Sequence, residues 1–217
     1  MKYKTVIFDL DGTLLDTLQD LTNSVNFALQ AMKYPERTLS EVRMLVGNGI
    51  GKLIERAVPK GTNTLDIQKT LQIFKSHYEQ HCEDYTAPYP GIYELLDFLK
   101  EQGVQTAIVS NKADFAVKKL CKKYFANSIS LAVGECENVR KKPAPDSVLA
   151  VINQLNSDNE TTVYIGDSDV DIETARNANI DVISVTWGFR DKNFLLEKGA
   201  FICADSTSEL KNLISEY

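Results

Sequence analysis

The sequence predicts an α/β protein in which a parallel sheet is interrupted by an all-helical insert. Three observations predict it. A strand is expected at the start of the chain, roughly Thr5 to Asp9, where a short apolar run stops at a carboxylate. From Pro88-Tyr89-Pro90-Gly91 onward, strand-like and helix-like stretches alternate, as in a parallel sheet with helices on both faces. Between the two, residues 16 to 85 carry helical patterning and no convincing strand. The expected organisation is therefore a Rossmann-like core, residues 1–15 and 87–217, with a helical cap, residues 16–86. A cap on two short linkers can act as a lid.

Each element has a local reason. In the insert, Leu18, Leu21, Val25 and Leu29 recur at helical spacing, with Ala28 beside them. Thr38 and Glu41 have the spacing of a capping box, and Val42, Leu45 and Val46 follow. Val46-Gly47-Asn48-Gly49-Ile50-Gly51 breaks the pattern, which resumes from Lys52 to Val58. A long amphipathic helix covers Thr64 to Cys82. The two prolines and the glycine at 88–91 make a stiff joint. Beyond it, helices are expected over Ile92–Gln102, Ala113–Tyr124, within Pro143–Asn156, over Ile172–Ala178, around Phe194–Lys198 and over Ser208–Tyr217. Strands are expected over Gln105–Ser110, Ile129–Val133, Thr162–Ile165 and Val182–Thr186, with an edge strand at Phe201-Ile202.

Bulk composition narrows the function classes. The 217 residues suffice for a large core plus a smaller domain. A hydrophobic share of 43% and a charged share of 25% read as an ordinary globular protein. The net charge of −6 argues against nucleic acid or an anionic membrane as main partner. No run reaches membrane-spanning length, and the N-terminus enters a strand without a signal-peptide pattern. Cys82, Cys121, Cys136 and Cys203 form no CxxC pair and read as reduced, mostly buried thiols of a cytoplasmic protein.

In an open parallel sheet, ligands bind where the strands end. After the first strand come Asp9 and Asp11, two residues apart and facing the same way on an extended chain. Two carboxylates so close repel, and a hard divalent cation, most simply Mg²⁺, would relieve them. Asp-Gly is also a common turn pair. The second strand ends at Ser110-Asn111-Lys112, which could equally cap a helix. Lys142 lies in Arg140-Lys141-Lys142-Pro143 and could be a solvated loop cation. A later strand ends at Gly166-Asp167-Ser168-Asp169-Val170-Asp171, where acids also suit a helix N-terminus. Together the four loops form a kit for phosphoryl transfer: an aspartate nucleophile, a hydroxyl, a cation and a second acidic cluster.

These four motifs, in this order and over essentially the whole chain, resemble the haloacid dehalogenase-like hydrolase superfamily. Asp9-Leu10-Asp11-Gly12-Thr13-Leu14 looks like its first motif, Ser110 its second, Lys142-Pro143 its third and Gly166–Asp171 its fourth. The resemblance implies that Asp9 attacks phosphorus and that Asp11 serves as acid and then base. It implies a Mg²⁺ ion on Asp9, the Asp11 carbonyl and Asp167, with Asp171 supporting the shell directly or through water. Ser110 and Lys142 would bind the phosphoryl group, with Thr13 and Asn111 beside them. Within the superfamily the closest likeness is to phosphoglycolate phosphatases, through Asp16–Leu21, Val46–Gly49 and Lys142–Asp146. There Gly47 and Asn48 would reach the leaving group, although a plain helix–helix turn explains them equally. Ile50-Gly51-Lys52 departs from the best-matched members, which leaves the exact substrate open.

The expected partner is a small phosphorylated metabolite, and the expected assembly a monomer or homodimer. A β-phosphoglucomutase-like phosphomutase, a pyrophosphatase or nucleotidase, and a receiver-like phosphate-binding module are the alternatives. The mutase branch usually carries a Gly-x-Ser-Arg-type cap stretch where this chain has Gly47-Asn48-Gly49-Ile50, and a receiver needs no helical insert. Trp187-Gly188-Phe189 resembles an aromatic-Gly-aromatic stretch of the family, or serves core packing. His77 and His81 sit at i and i+4, but the Glu between them is at the wrong place for a zincin.

Overall fold

The first strand is buried at every position because both faces of the sheet that contains it are covered. In this computed structural model, which describes residues 1–216, β1 (Thr5–Phe8) and the short β2 (Leu15–Asp16) are followed by four helices. These are α1 (Leu18–Ala31), α2 (Leu39–Leu45), α3 (Ile50–Ala57) and α4 (Thr64–His81). Then come β3 (Ala87–Pro88), α5 (Ile92–Glu101), β4 (Gln105–Ala113), α6 (Asp114–Tyr124), β5 (Leu131–Glu135) and α7 (Asp146–Gln154). The chain closes with β6 (Thr162–Gly166), α8 (Asp169–Ala178), β7 (Asp181–Val185), α9 (Lys192–Glu197), β8 (Cys203–Ala204) and α10 (Thr207–Glu216). By internal contacts it divides into two units, residues 1–15 with 88–217, and residues 16–87.

The larger unit is a six-stranded sheet in the order β5-β4-β1-β6-β7-β8, paired in parallel throughout. β1 lies at its centre, with Phe8 opposite Ile108 on one side and Ile165 on the other. Successive residues point to opposite faces. Val6 and Phe8 join a core with Leu95 and Leu99 of α5, Leu120 of α6 and Leu210 of α10. Ile7 joins a second core with Val148 and Val151 of α7 and Ala175 and Ala178 of α8. A strand buried on both faces is rigid, and the residue that follows it is placed accurately.

The smaller unit packs α1 to α4 around Leu21, Val25, Leu29, Val42, Ile54 and Phe74. The expected capping box is formed: Thr38 Oγ1 accepts from the Glu41 N–H, and Glu41 accepts from the Thr38 N–H. Asp20 of α1 is buried and accepts from the N–H groups of Tyr85 and Thr86 and from the Thr86 hydroxyl. The start of the insert is thereby tied to its end.

Several expected boundaries shift. β1 stops at Phe8, so Asp9 is the first residue beyond it. β4 runs on past Ser110 to Ala113, with a register shift against β5 between Val109 and Ala113. α8 begins at Asp169, three residues earlier than expected, because Ser168 and Asp171 form a capping box. The edge strand is Cys203–Ala204, not Phe201-Ile202; pairing with Ser184 and Val185 fixes it there, and Phe201 is 93% exposed. The expected closing helix is seen from Thr207 to Glu216, and Tyr217 lies outside the described residues. Of the four cysteines, all free, Cys82 and Cys121 are buried, Cys203 is half-buried and Cys136 is exposed, so the thiols are not mostly buried. No helix among the described residues is long and apolar enough to cross a membrane.

Candidate active site

Adjacent parallel strands deliver their C-terminal residues to one edge, and the chemistry-bearing loops collect there. Asp9 follows β1, Ser110 lies two residues beyond the Ile108 that faces Phe8, and Asp167 follows β6. Asp171 projects from the first turn of α8. Carboxylate oxygens of Asp9, Asp167 and Asp171 lie within 4.8 Å of one another, in the single such cluster among the described residues. Lys142, 3% exposed, sends its ammonium into it, 2.7 Å from Asp171 Oδ1 and 3.1 Å from Asp9 Oδ1.

Burial of three carboxylates around one ammonium leaves negative charge uncompensated. Desolvation, with the Asp171 and Asp11 charges and against the pull of Lys142, pushes the Asp9 carboxyl up to about 6. Asp167 is driven well above the usual carboxylate range by burial and by the charges of Asp171 and Asp9. Burial works against a charged Lys142, but Asp171 and Asp9 outweigh it and hold the ammonium well above its ordinary value. An all-oxygen, hard, anionic donor set of this kind fits a small divalent cation such as Mg²⁺.

Space for these oxygens is made by glycine. Gly12 has φ +84°, and a Cβ there would meet Asp167 Oδ2 at 2.4 Å. A Cβ on Gly188 would lie 2.3 Å from the Gly12 carbonyl oxygen and 2.4 Å from Asp167 Oδ2. The neighbouring Phe189 N–H donates to Asp167 Oδ2 at 2.6 Å, and the Trp187 indole N–H donates to the Thr13 carbonyl at 3.1 Å. The stretch 187–189 thus supports both acidic loops as well as packing against the core.

Other expected site residues take more specific places. Thr13 is buried with its hydroxyl 3.4 Å from Asp167 Oδ1, so it supports a carboxylate. The Asn111 side chain donates to the Lys142 carbonyl and accepts from the Lys142 N–H, both at 2.9 Å, and so holds the lysine's backbone. Ser110 is buried at the end of the apolar part of β4. The Asp11 side chain stands apart from the three-carboxylate cluster and takes the Lys112 ammonium at 2.9 and 3.2 Å. Gly47 and Asn48 belong to the helical unit, in the turn between α2 and α3, where Arg56 donates to the Gly47 carbonyl and the Asn48 side chain.

Sequence reasoning missed two partners. The Tyr164 hydroxyl accepts from the Lys142 ammonium at 2.9 Å and donates to the Val109 carbonyl at 2.7 Å. Lys112, which the sequence places in a strand-end loop, has a buried side chain. The His77 and His81 rings stack at 4.3 Å, and their Nδ1 atoms contact Ser24 and Asp84. No third ligand completes a metal site with them among the described residues.

A family model for haloacid dehalogenase-like hydrolases matches residues 6–185, a span that includes all four acidic, hydroxyl and cationic loops. The chain belongs to this family. Among haloacid dehalogenase-like hydrolases it is similar to a phosphoglycolate phosphatase of Agrobacterium fabrum, 35% identical over 85% of this chain and 81% of the relative. Another phosphoglycolate phosphatase, from Nitrosococcus oceani, is 31% identical over 97% of this chain and 96% of the relative. A crystal structure from Lactobacillus delbrueckii subsp. bulgaricus, named as a candidate phosphoglycolate phosphatase, superposes with a TM-score of 0.94. It is 35% identical and covers 99% of both chains.

Proposed function

We propose that this hydrolase is a Mg²⁺-dependent phosphatase that cleaves a small phosphate monoester, with 2-phosphoglycolate the first substrate to test, through an aspartyl-phosphate. The observation that carries the reading is the buried cluster of Asp9, Asp167 and Asp171 around the Lys142 ammonium. The two phosphoglycolate phosphatases at 31% and 35% identity support the substrate class. The four free cysteines support a reducing, cytoplasmic setting.

The residues divide the work by position. Asp9 Oδ1 takes the Leu10 N–H and the Lys142 ammonium, while Oδ2 has no such partner among the described residues. Oδ2 is therefore the atom that attacks phosphorus. Its bond to phosphorus forms as the bond to the leaving oxygen breaks, and Asp11 supplies that oxygen's proton. Lys142 and the Ser110 hydroxyl hold phosphoryl oxygens during transfer. Asp11 then takes a proton from water, which attacks phosphorus and frees Asp9 and inorganic phosphate. Asp9, Asp167, the Asp11 carbonyl and Asp171 would hold Mg²⁺, which when bound offsets negative charge so that a dianion can approach.

The test is phosphate release from 2-phosphoglycolate, sugar phosphates, nucleoside monophosphates, pyrophosphate and p-nitrophenyl phosphate, with and without Mg²⁺. A kcat/KM preference for 2-phosphoglycolate is expected. A preference elsewhere would change the substrate and keep the mechanism. Stable phosphorylation without turnover would overturn the phosphatase reading, and so would normal turnover by Asp9→Asn.

A further inference from the structure

Among the described residues two lysines are buried, Lys142 and Lys112, and the reaction proposed above gives Lys112 no part. Its side chain is 3% exposed, and its ammonium lies 2.9 and 3.2 Å from the two oxygens of Asp11. A lysine at a strand end normally extends its ammonium to water along a flexible stem. Here β4 continues through residue 113 with a shifted register, which carries Lys112 inward beside the turn after β1. Asp11 keeps 18% of its side chain exposed, so it faces solvent on one side and Lys112 on the other.

We propose that Lys112 is a positioning residue that fixes the Asp11 carboxylate for proton transfer to the leaving oxygen. This rests on the role given to Asp11 under Proposed function. Two contacts from a single buried ammonium restrain rotation of the carboxylate about its terminal bond. Proton transfer is sensitive to such placement, since a misplacement of about 1 Å costs on the order of 100-fold in rate. Stability does not explain the pair. Replacing both partners of such a pair by apolar side chains is close to neutral, so the fold alone does not call for a charged pair here, although removing one partner strands the other charge.

The leaving group separates positioning from other roles. An alkoxide cannot depart without a proton, whereas p-nitrophenolate can. The value of kcat/KM reports events up to departure of the leaving group. For Lys112→Met, kcat/KM on the alkyl monoester turned over fastest should fall between about 10- and 100-fold. On p-nitrophenyl phosphate, assayed well below the variant's Tm, it should fall less than about threefold, while Tm itself drops because Asp11 loses its counter-ion. Lys112→Gln should show the same split and serves if the methionine variant does not fold. Equal losses on both substrates would overturn the proposal, because Lys112 would then bind the phosphoryl group or support the fold. Unchanged alkyl activity would also overturn it. Asp11→Asn, assayed in parallel, should show the same alkyl-over-aryl loss. Its failure to do so would defeat the acid role of Asp11 itself, independently of the outcome at Lys112.

Discussion

Lys142 meets two carboxylates and a phenol at once, and each contact has a different consequence. The ammonium lies 2.7 Å from Asp171, 3.1 Å from Asp9 and 2.9 Å from the Tyr164 hydroxyl. Lys142→Met removes the single positive charge within the carboxylate cluster. Turnover should fall by about 100- to 1000-fold, the usual loss for one charge-stabilising group. The variant should also lose about 3–5 kcal/mol in denaturant titrations without added cation, because buried carboxylates lose their counter-ion. Tyr164→Phe is milder. It deletes one buried hydroxyl bridging Lys142 and Val109 and should cost about 1 kcal/mol, with a smaller drop in kcat. Lys142 was legible because a basic residue before proline stood in order between two other motifs. Tyr164 was not, since within Thr162–Gly166 it reads as one more apolar strand position. Its acceptor, the Val109 carbonyl, is 55 residues away in the chain.

Short turns decide where the acidic side chains can sit. The turn after β1 and the loop after β7 approach so closely that an added Cβ on Gly188 would lie 2.3 Å from the Gly12 carbonyl oxygen. Gly188→Ala must therefore move backbone, and should cost about 1–3 kcal/mol by overpacking while lowering kcat through displaced Asp167. A thermal melt and an activity assay on one preparation check both effects. The Gly12 turn could be read directly from Asp-Gly-Thr. Gly188 stood in a recognisable aromatic-Gly-aromatic stretch whose contact partners only the fold supplies. Long amphipathic helices such as α1 and α4 were likewise plain from their spacing. The edge strand was misplaced by two residues because a two-residue strand carries almost no periodicity. In the insert, Asp20 was one polar residue in an amphipathic pattern, yet it is the acceptor for both N–H groups at Tyr85 and Thr86. Asp20→Ala should destabilise the insert by about 2–3 kcal/mol, seen as faster amide exchange in α1 at unchanged exchange in β1.

At the scale of the whole molecule, an acidic chain of net charge −6 is expected to bind an anionic substrate, and the site concentrates further negative charge. The resulting conflict gives a pH signature. Burial, with the nearby Asp171 and Asp11 charges, raises the Asp9 carboxyl to about 6, above its ordinary value near 3.9. Between roughly pH 4 and 6 the folded state therefore holds more protons at this position than the unfolded chain. Stability of the cation-free protein must then fall as pH rises through that window, and the contribution is gone above it. Asp9→Asn carries no such group, so it should flatten the slope and melt higher than the parent at pH 7.5. Mg²⁺ should have the complementary effect, because a cation that binds only the folded state stabilises it by about 2.7 kcal/mol at 100 times its dissociation constant. The parent Tm at pH 7.5 should rise with Mg²⁺ and fall again with chelator, and Asp167→Asn should respond to neither. A parent melt indifferent to Mg²⁺ would show that Lys142 alone compensates these carboxylates. The cluster would then be a charge network without a metal, and the phosphate dianion would have to be met by Lys142 and Ser110 unaided.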